Sequence, residues 1–214
     1  MSATLVPAEA STSVRSAQYQ LNKLGCDAGP VDGVMGDHTT YAVIRFQAAN
    51  HLSQTGSLNT TTRAKLGPNG IPCNHRHVPS SSGTGKRIVL SQLQNWVWLV
   101  NSNGSIAWQG GIIDNPSELR PGTYYAGSKC GRPARVLYNH SANGLVLEHY
   151  VRFAPCGIGF HRVPMSGGTQ IHPDWMLGTN ARQSHGCIRL SDRTAEKVWS
   201  FVVSGTKVVV VGSR

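Results

Sequence analysis

The hydrophobic pattern of this chain changes period once, and the change falls on a run of structure breakers. Up to about residue 66, apolar residues recur every three or four positions; beyond residue 85 they alternate or cluster in short β-branched and aromatic runs. In between, residues 67–85 carry Pro68, Gly70, Pro72 and a Ser/Gly-rich run over 80–85, which reads as linker composition. The expected fold is therefore multidomain, a small all-α unit followed by a mainly-β one.

In the first part, Val14, Ala17, Leu21 and Leu24 form a helical stripe that stops at Gly25. A Gly/Asp-rich turn follows over 29–36. Asp37 is then expected to cap a second helix with Ala42, Val43 and Phe46 on one face. A third short helix is expected over 60–66. Three short helices make a core of marginal size, which suits a Cys26–Cys73 staple. In the second part, strands are expected over 87–93, 96–101 and 106–113, and again near 123–126, 135–138, 145–149 and 207–211. Trp96, Trp98 and Trp108 read as core residues of these strands. Ala195, Val198, Trp199 and Val202 share one face of a single C-terminal helix. Many short strands with turns at close intervals argue a β-sandwich. The resulting boundaries are a flexible tail at 1–13, a helical domain at 14–73, a linker at 74–85 and a β domain at 86–214.

Five cysteines is an odd number. Pairing Cys26 with Cys73 and Cys130 with Cys156 respects the domain boundaries and leaves Cys187 as a free thiol. Each bridge would contribute roughly 3–4 kcal/mol through loop entropy. The alternative is five reduced thiols in a cytosolic protein. No apolar run approaches the roughly 18–20 residues of a membrane span, so no integral membrane segment is expected. Residues 1–13 lack the basic start and apolar stretch of a signal peptide, which fits either a cytosolic chain or a trimmed, secreted one. Lys and Arg number 20 against 10 Asp and Glu. Such a surface favours an anionic partner. Nucleic acid is not expected, because zinc-finger spacing and an Arg/Lys-dense helix are both missing.

Cysteine catalysis needs a sulfur nucleophile, a base for its proton and donors for an oxyanion. A free thiol titrates near pH ~8.5, so a neighbouring histidine or dipole has to favour the thiolate. In Gln183-Ser184-His185-Gly186-Cys187-Ile188-Arg189 the glycine permits a tight turn that can aim backbone N–H groups at one oxygen. Upstream, His161 in Gly159-Phe160-His161-Arg162 ends an apolar stretch and can face the same place. The residues themselves point to a Cys/His nucleophilic site.

Two resemblances sharpen this reading. Leu21, Leu24-Gly25, Gly29, Asp32-Gly33, Gly36, Thr39, Ala42-Val43, Phe46-Gln47, Leu52, Gly56, Thr62 and Leu66 follow an order similar to that of the three-helix peptidoglycan-binding domain. The match departs from that family at Asn50-His51, where a glycine usually precedes the leucine. Gly159-Phe160-His161 with Ser184-His185-Gly186-Cys187-Ile188-Arg189 resembles the signature of the L,D-transpeptidase (YkuD-type) catalytic domain. Arg120-Pro121-Gly122-Thr123-Tyr124 is similar to another segment of that family. The loop 162–183, with Gly167-Gly168, His172-Pro173 and Trp175, departs from the family in length and content.

The resemblance implies a secreted, wall-located cysteine acyltransferase with no cofactor and no metal. Its partners would be peptidoglycan stem peptides and glycan, with β-lactams of the carbapenem class as covalent inhibitors. Cys187 would be the nucleophile, His161 the base, and His185 a third catalytic residue. Gly186, Ser184 and the carbonyl of Arg162 would form the oxyanion and orienting set. Arg189 and Tyr124 would bind substrate. Three other readings stay open: a carboxypeptidase or endopeptidase on the same fold, a zinc peptidase built on His161, His172 and His185, and a wall-binding protein with an idle thiol. The zinc reading lacks a His-Glu-x-x-His cluster.

Overall fold

The computed structural model describes residues 12–155, 157–180 and 182–212. It divides into two compact units, between Asn74 and His75.

The first unit has three helices: α1 (Thr12–Lys23), α2 (Asp37–Ala49) and α3 (Thr60–Lys65). Leu21, Ala42, Val43 and Phe46 are fully buried around the Cys26–Cys73 disulfide. That bridge spans 47 residues, for which loop entropy gives about 4 kcal/mol. The Gly/Asp turn is tied to α1 by Gln18, whose amide donates to Asp32 Oδ1 at 2.8 Å and Thr39 Oγ1 at 3.0 Å and accepts from Gly33 N at 2.7 Å. Two local expectations are corrected. Thr12 and Ser13, assigned to the tail, begin α1; residues 1–11 of that tail lie outside the described residues. Asp37 does not cap α2, because Gly36 is the N-cap and makes no side-chain bond. Asp37 instead places its carboxylate in the first turn, where the helix dipole favours negative charge.

The second unit stacks two sheets. The first, in order β3-β2-β1-β11-β4, comprises β1 (Arg87–Ser91), β2 (Trp96–Val100), β3 (Ile106–Gly111), β4 (Gly122–Tyr125) and β11 (Lys207–Val211). Only β1 and β11 run parallel in it. The second holds β5 (Arg135–His140), β6 (Val146–Arg152), β7 (Gly159–Arg162), β8 (Met165–Ser166), β9 (Thr169–Gln170) and β10 (Ile188–Leu190), in order β10-β7-β6-β8-β9 with β5 paired to β6. Ile88, Leu90, Val97, Leu99, Phe153, Phe160, Ile188 and Leu190 interleave in the main core. Helix α4 (Asp192–Phe201), capped by Ser191 accepting from Thr194 N, adds Ala195 and Val198 to that core.

Every residue of β1 and β2 is buried, which a sheet with one solvated face does not produce. The cover for the outer face is the stretch expected to be linker. Val78 packs on the outward cluster of Val89, Trp96, Trp98 and Val100. Arg76 is 2% exposed; its guanidinium lies 3.9 Å from the Trp96 ring centroid and donates to Gln94 O. Its backbone donates to Gln109 Oε1 and accepts from Trp98 Nε1. Pro/Ser/Gly composition limits regular structure in residues 75–85 to a single 3-10 turn at Ser80–Ser82, but it does not exclude docking. Arg76→Ala is expected to destabilise the β unit by about 3 kcal/mol, through lost ring contact and an orphaned carbonyl. Urea unfolding followed by tryptophan fluorescence measures this, and an unchanged midpoint would contradict it.

Candidate active site

The site is built where β10 joins the second sheet. β10 lies parallel to β7 with Ile188 opposite Phe160 and Arg189 opposite His161. Side chains alternate along a strand, so Phe160, Ile188 and Leu190 enter the core while His161 and Arg189 share the other face. Cys187, two residues before Arg189 at the entry to β10, falls on that same face. His161, Cys187, Ser184, His185 and Arg189 line one cavity of about 330 Å³. Its remaining wall comes from the β5–β6 turn, with Ser141, Asn143 and Leu145, from Leu147 on β6 and from Pro164.

The Ser-His-Gly-Cys turn is fixed from below. Ser184 N donates to Asp114 O at 3.2 Å, and Asn115 Nδ2 donates to Ser184 O at 2.9 Å. Gly186 N donates to Ser184 Oγ at 2.9 Å. Gly186 has φ +122°, in the region that disfavours a side chain, and an added Cβ would lie 3.3 Å from Glu118 Cβ. The Gly186 amide is thus engaged by Ser184 within the turn. Among the described residues Cys187 is the free thiol, and it donates to Gly157 O at 3.3 Å. His161 is 2% exposed, and its Nδ1 lies 2.6 Å from Arg162 O. A carbonyl only accepts, so Nδ1 carries the hydrogen and Nε2 is the basic nitrogen. The Arg162 side chain is held by Glu148 at 2.5 Å and Asp192 at 3.4 Å.

Other expected residues lie elsewhere. Tyr124 is on β4 in the first sheet, packed edge-on to Phe153 with its hydroxyl donating to Arg120 O, and does not line the cavity. His172 is buried against Pro173 O and also does not line it. His185 lines the cavity and is exposed. Cys130 is disulfide-bonded; Cys156, its expected partner, lies outside the described residues. Among the described residues, no group of three or more His, Cys, Asp or Glu is placed to hold a metal ion.

Over residues 69–210 the sequence matches the L,D-transpeptidase catalytic domain family, YkuD. The chain belongs to that family. Residues 10–66 match a family of peptidoglycan binding domains. The chain is similar in fold to an L,D-transpeptidase from Xylanimonas cellulosilytica, at 21% identity and TM-score 0.55 over 99% of this chain and 100% of that one. An L,D-transpeptidase from Stackebrandtia nassauensis aligns at 18% identity and TM-score 0.50, over 97% of this chain and 94% of that one. No curated protein matches the chain.

In this YkuD-family domain the electrostatics run against a resting ion pair. Burial pushes the Cys187 thiol up, only partly opposed by the nearby Gly159 backbone and Tyr150 hydroxyl and by the charges of Arg152 and Arg189. Burial pulls His161 down to about 4, with the Arg162 carbonyl opposing and Arg189 adding to the fall. Desolvation thus outweighs the neighbours at both groups and disfavours the thiolate and the imidazolium alike. Sequence reading also missed Tyr150, Gly157 and the β5–β6 turn. Only the turn carried a local signal, Asn143-Gly144 between two apolar runs.

Because folding depresses the His161 pKa, the unfolded chain binds more protons between about pH 6.5 and about pH 4. His161 stabilisation is complete above that window and is lost as pH falls through it, by about 3 kcal/mol. Urea midpoints across this range are expected to fall in the natural chain and to fall much less in His161→Asn. Equal slopes in the two proteins would contradict this.

Proposed function

We propose that the protein is a cysteine acyltransferase of peptidoglycan, an L,D-transpeptidase acting outside the cytoplasmic membrane. The observation that carries the proposal is the shared cavity of Cys187 and the Nδ1-anchored His161, in a chain of this family. Cys187 Sγ attacks the stem-peptide carbonyl that precedes terminal D-alanine, while His161 Nε2 takes the thiol proton. Neutral partners make this transfer concerted with attack, since a free thiolate–imidazolium pair is disfavoured by burial. The amide of Cys187 holds the developing oxyanion, and His185 polarises it from the exposed rim. Collapse breaks the C–N bond, and His161 returns its proton to the departing amine of D-alanine. The acyl-thioester then passes to an amine of a neighbouring stem, deprotonated by His161, which gives a cross-link between third residues. Arg189, at the cavity edge, pairs with a substrate carboxylate. The helical unit keeps the enzyme on the glycan. Among the described residues no helix is long and apolar enough to cross a membrane.

Incubation with a carbapenem is expected to add one covalent mass to the natural chain and none to Cys187→Ala. The same variant is expected to lose cross-linking of stem peptides and retain binding to insoluble wall. An adduct on Cys187→Ala, or cross-linking by it, would refute the reading. Trimmed stems without cross-linked dimers would assign the acyl group to water, making the protein an L,D-carboxypeptidase.

A further inference from the structure

Beside the nucleophile lies a buried pair of side chains that the mechanism above leaves unused. Tyr150, on β6, is 1% exposed, and its hydroxyl donates to Gly157 O at 2.5 Å. That is the same carbonyl to which the Cys187 thiol donates. Arg152, 3% exposed, donates from Nη1 to the Tyr150 hydroxyl at 3.3 Å and lies 4.9 Å from its ring centroid. The tyrosine ring is stacked on the His161 imidazole, at 6.2 Å between centroids and 14° between planes. Gly159 makes room for it, since a Cβ there would fall 2.7 Å from the Tyr150 ring. One side chain thus meets the ring of the base and shares a hydrogen-bond acceptor with the nucleophile.

We propose that Tyr150, backed by Arg152, is a further catalytic residue whose hydroxyl turns from Gly157 O to the Cys187 sulfur as the thiol proton leaves. The inference rests on the proposed Cys187–His161 chemistry. The proton moves from Sγ to His161 Nε2; Tyr150 keeps its own proton and makes or breaks no covalent bond. Gly157 is exposed, so water can replace the donors its carbonyl gives up. The Arg152 guanidinium, donating to the phenol oxygen, makes the O–H a stronger donor toward sulfur. Burial and the neighbouring Cys187 push the Tyr150 phenol well above its ordinary value, against the opposing charges of Arg152 and Arg132, so it stays protonated while the thiol ionises. The other charged group near the sulfur is Arg189, which also favours the thiolate.

Alkylation of Cys187 by iodoacetamide, followed by intact-mass spectrometry on the full chain, reads thiolate formation without any wall substrate. Tyr150→Phe is expected to alkylate about tenfold more slowly at neutral pH, with its midpoint about one pH unit higher and rates converging in alkali. If Tyr150→Phe does not fold by circular dichroism, Arg152→Lys provides the test. It keeps the charge but loses the Nη1 bond to Tyr150 together with the Nε bond to Pro133 O, and a smaller shift in the same direction is expected. Superimposable profiles would overturn the proposal. A uniform loss at every pH would do so as well, because it marks a merely structural role. A chain that shows the shift yet takes no carbapenem would sink the transpeptidase reading and leave Tyr150 as the thiolate donor.

Discussion

The pairing of β10 with β7 is the contact from which the rest of the site follows. Three residues of parallel register, Ile188 to Leu190 against Phe160 to Arg162, fix which side chains enter the core and which face outward. Phe160, Ile188 and Leu190 are all fully buried, so a slip of one residue would expose three large apolar groups and draw Arg189 inward. The register is therefore held by the hydrophobic core, and the outward face inherits its precision. His161 and the Cys187 turn keep their relation because the sheet beneath them has no other favourable alignment.

The same burial that fixes geometry sets the chemistry. A thiol and an imidazole exposed to water would titrate near their ordinary values and present a partly ionised pair. Here desolvation moves both away from charge, upward for Cys187 and downward for His161. Both shifts disfavour a resting thiolate–imidazolium pair in the cavity. The hydrogen bond from His161 to the Arg162 carbonyl selects the tautomer with Nε2 basic, and Glu148 and Asp192 hold the residue that supplies that carbonyl.

Much of this was legible from residues alone, for identifiable reasons. The change of hydrophobic period separated helices from strands, because burial on one helical face and burial on alternate strand positions leave different traces. Ile88, Val97 and Leu99 could be placed in strands because they lie in short β-branched and aromatic runs. The strands β7 to β10 were harder, since two to four residues are too few to display a period. His161, Ser184, His185, Cys187 and Arg189, which the sequence motif joins, line one cavity, while the neighbours of Tyr124 on β4 and β11 direct it to the core side of the other sheet. Tyr150 was invisible for a different reason. A tyrosine in a β-rich run reads as packing, and nothing local announces that its hydroxyl meets a carbonyl seven residues away. In residues 75–85, breaker composition argues against long helices and strands, whereas Arg76 and Val78 report burial that only a partner sheet can provide.

Gly159 shows what a missing side chain can contribute. Any larger residue at that position would collide with both the Tyr150 ring and the Val151 carbonyl, each 2.7 Å from the hypothetical carbon. The vacancy at Gly159 thus acts as a spacer gauge, setting how far the aromatic plane can slide beneath the imidazole. An alanine introduced there would not need to touch the sulfur to disturb it, because the displaced ring would carry the misalignment to both reacting groups at once.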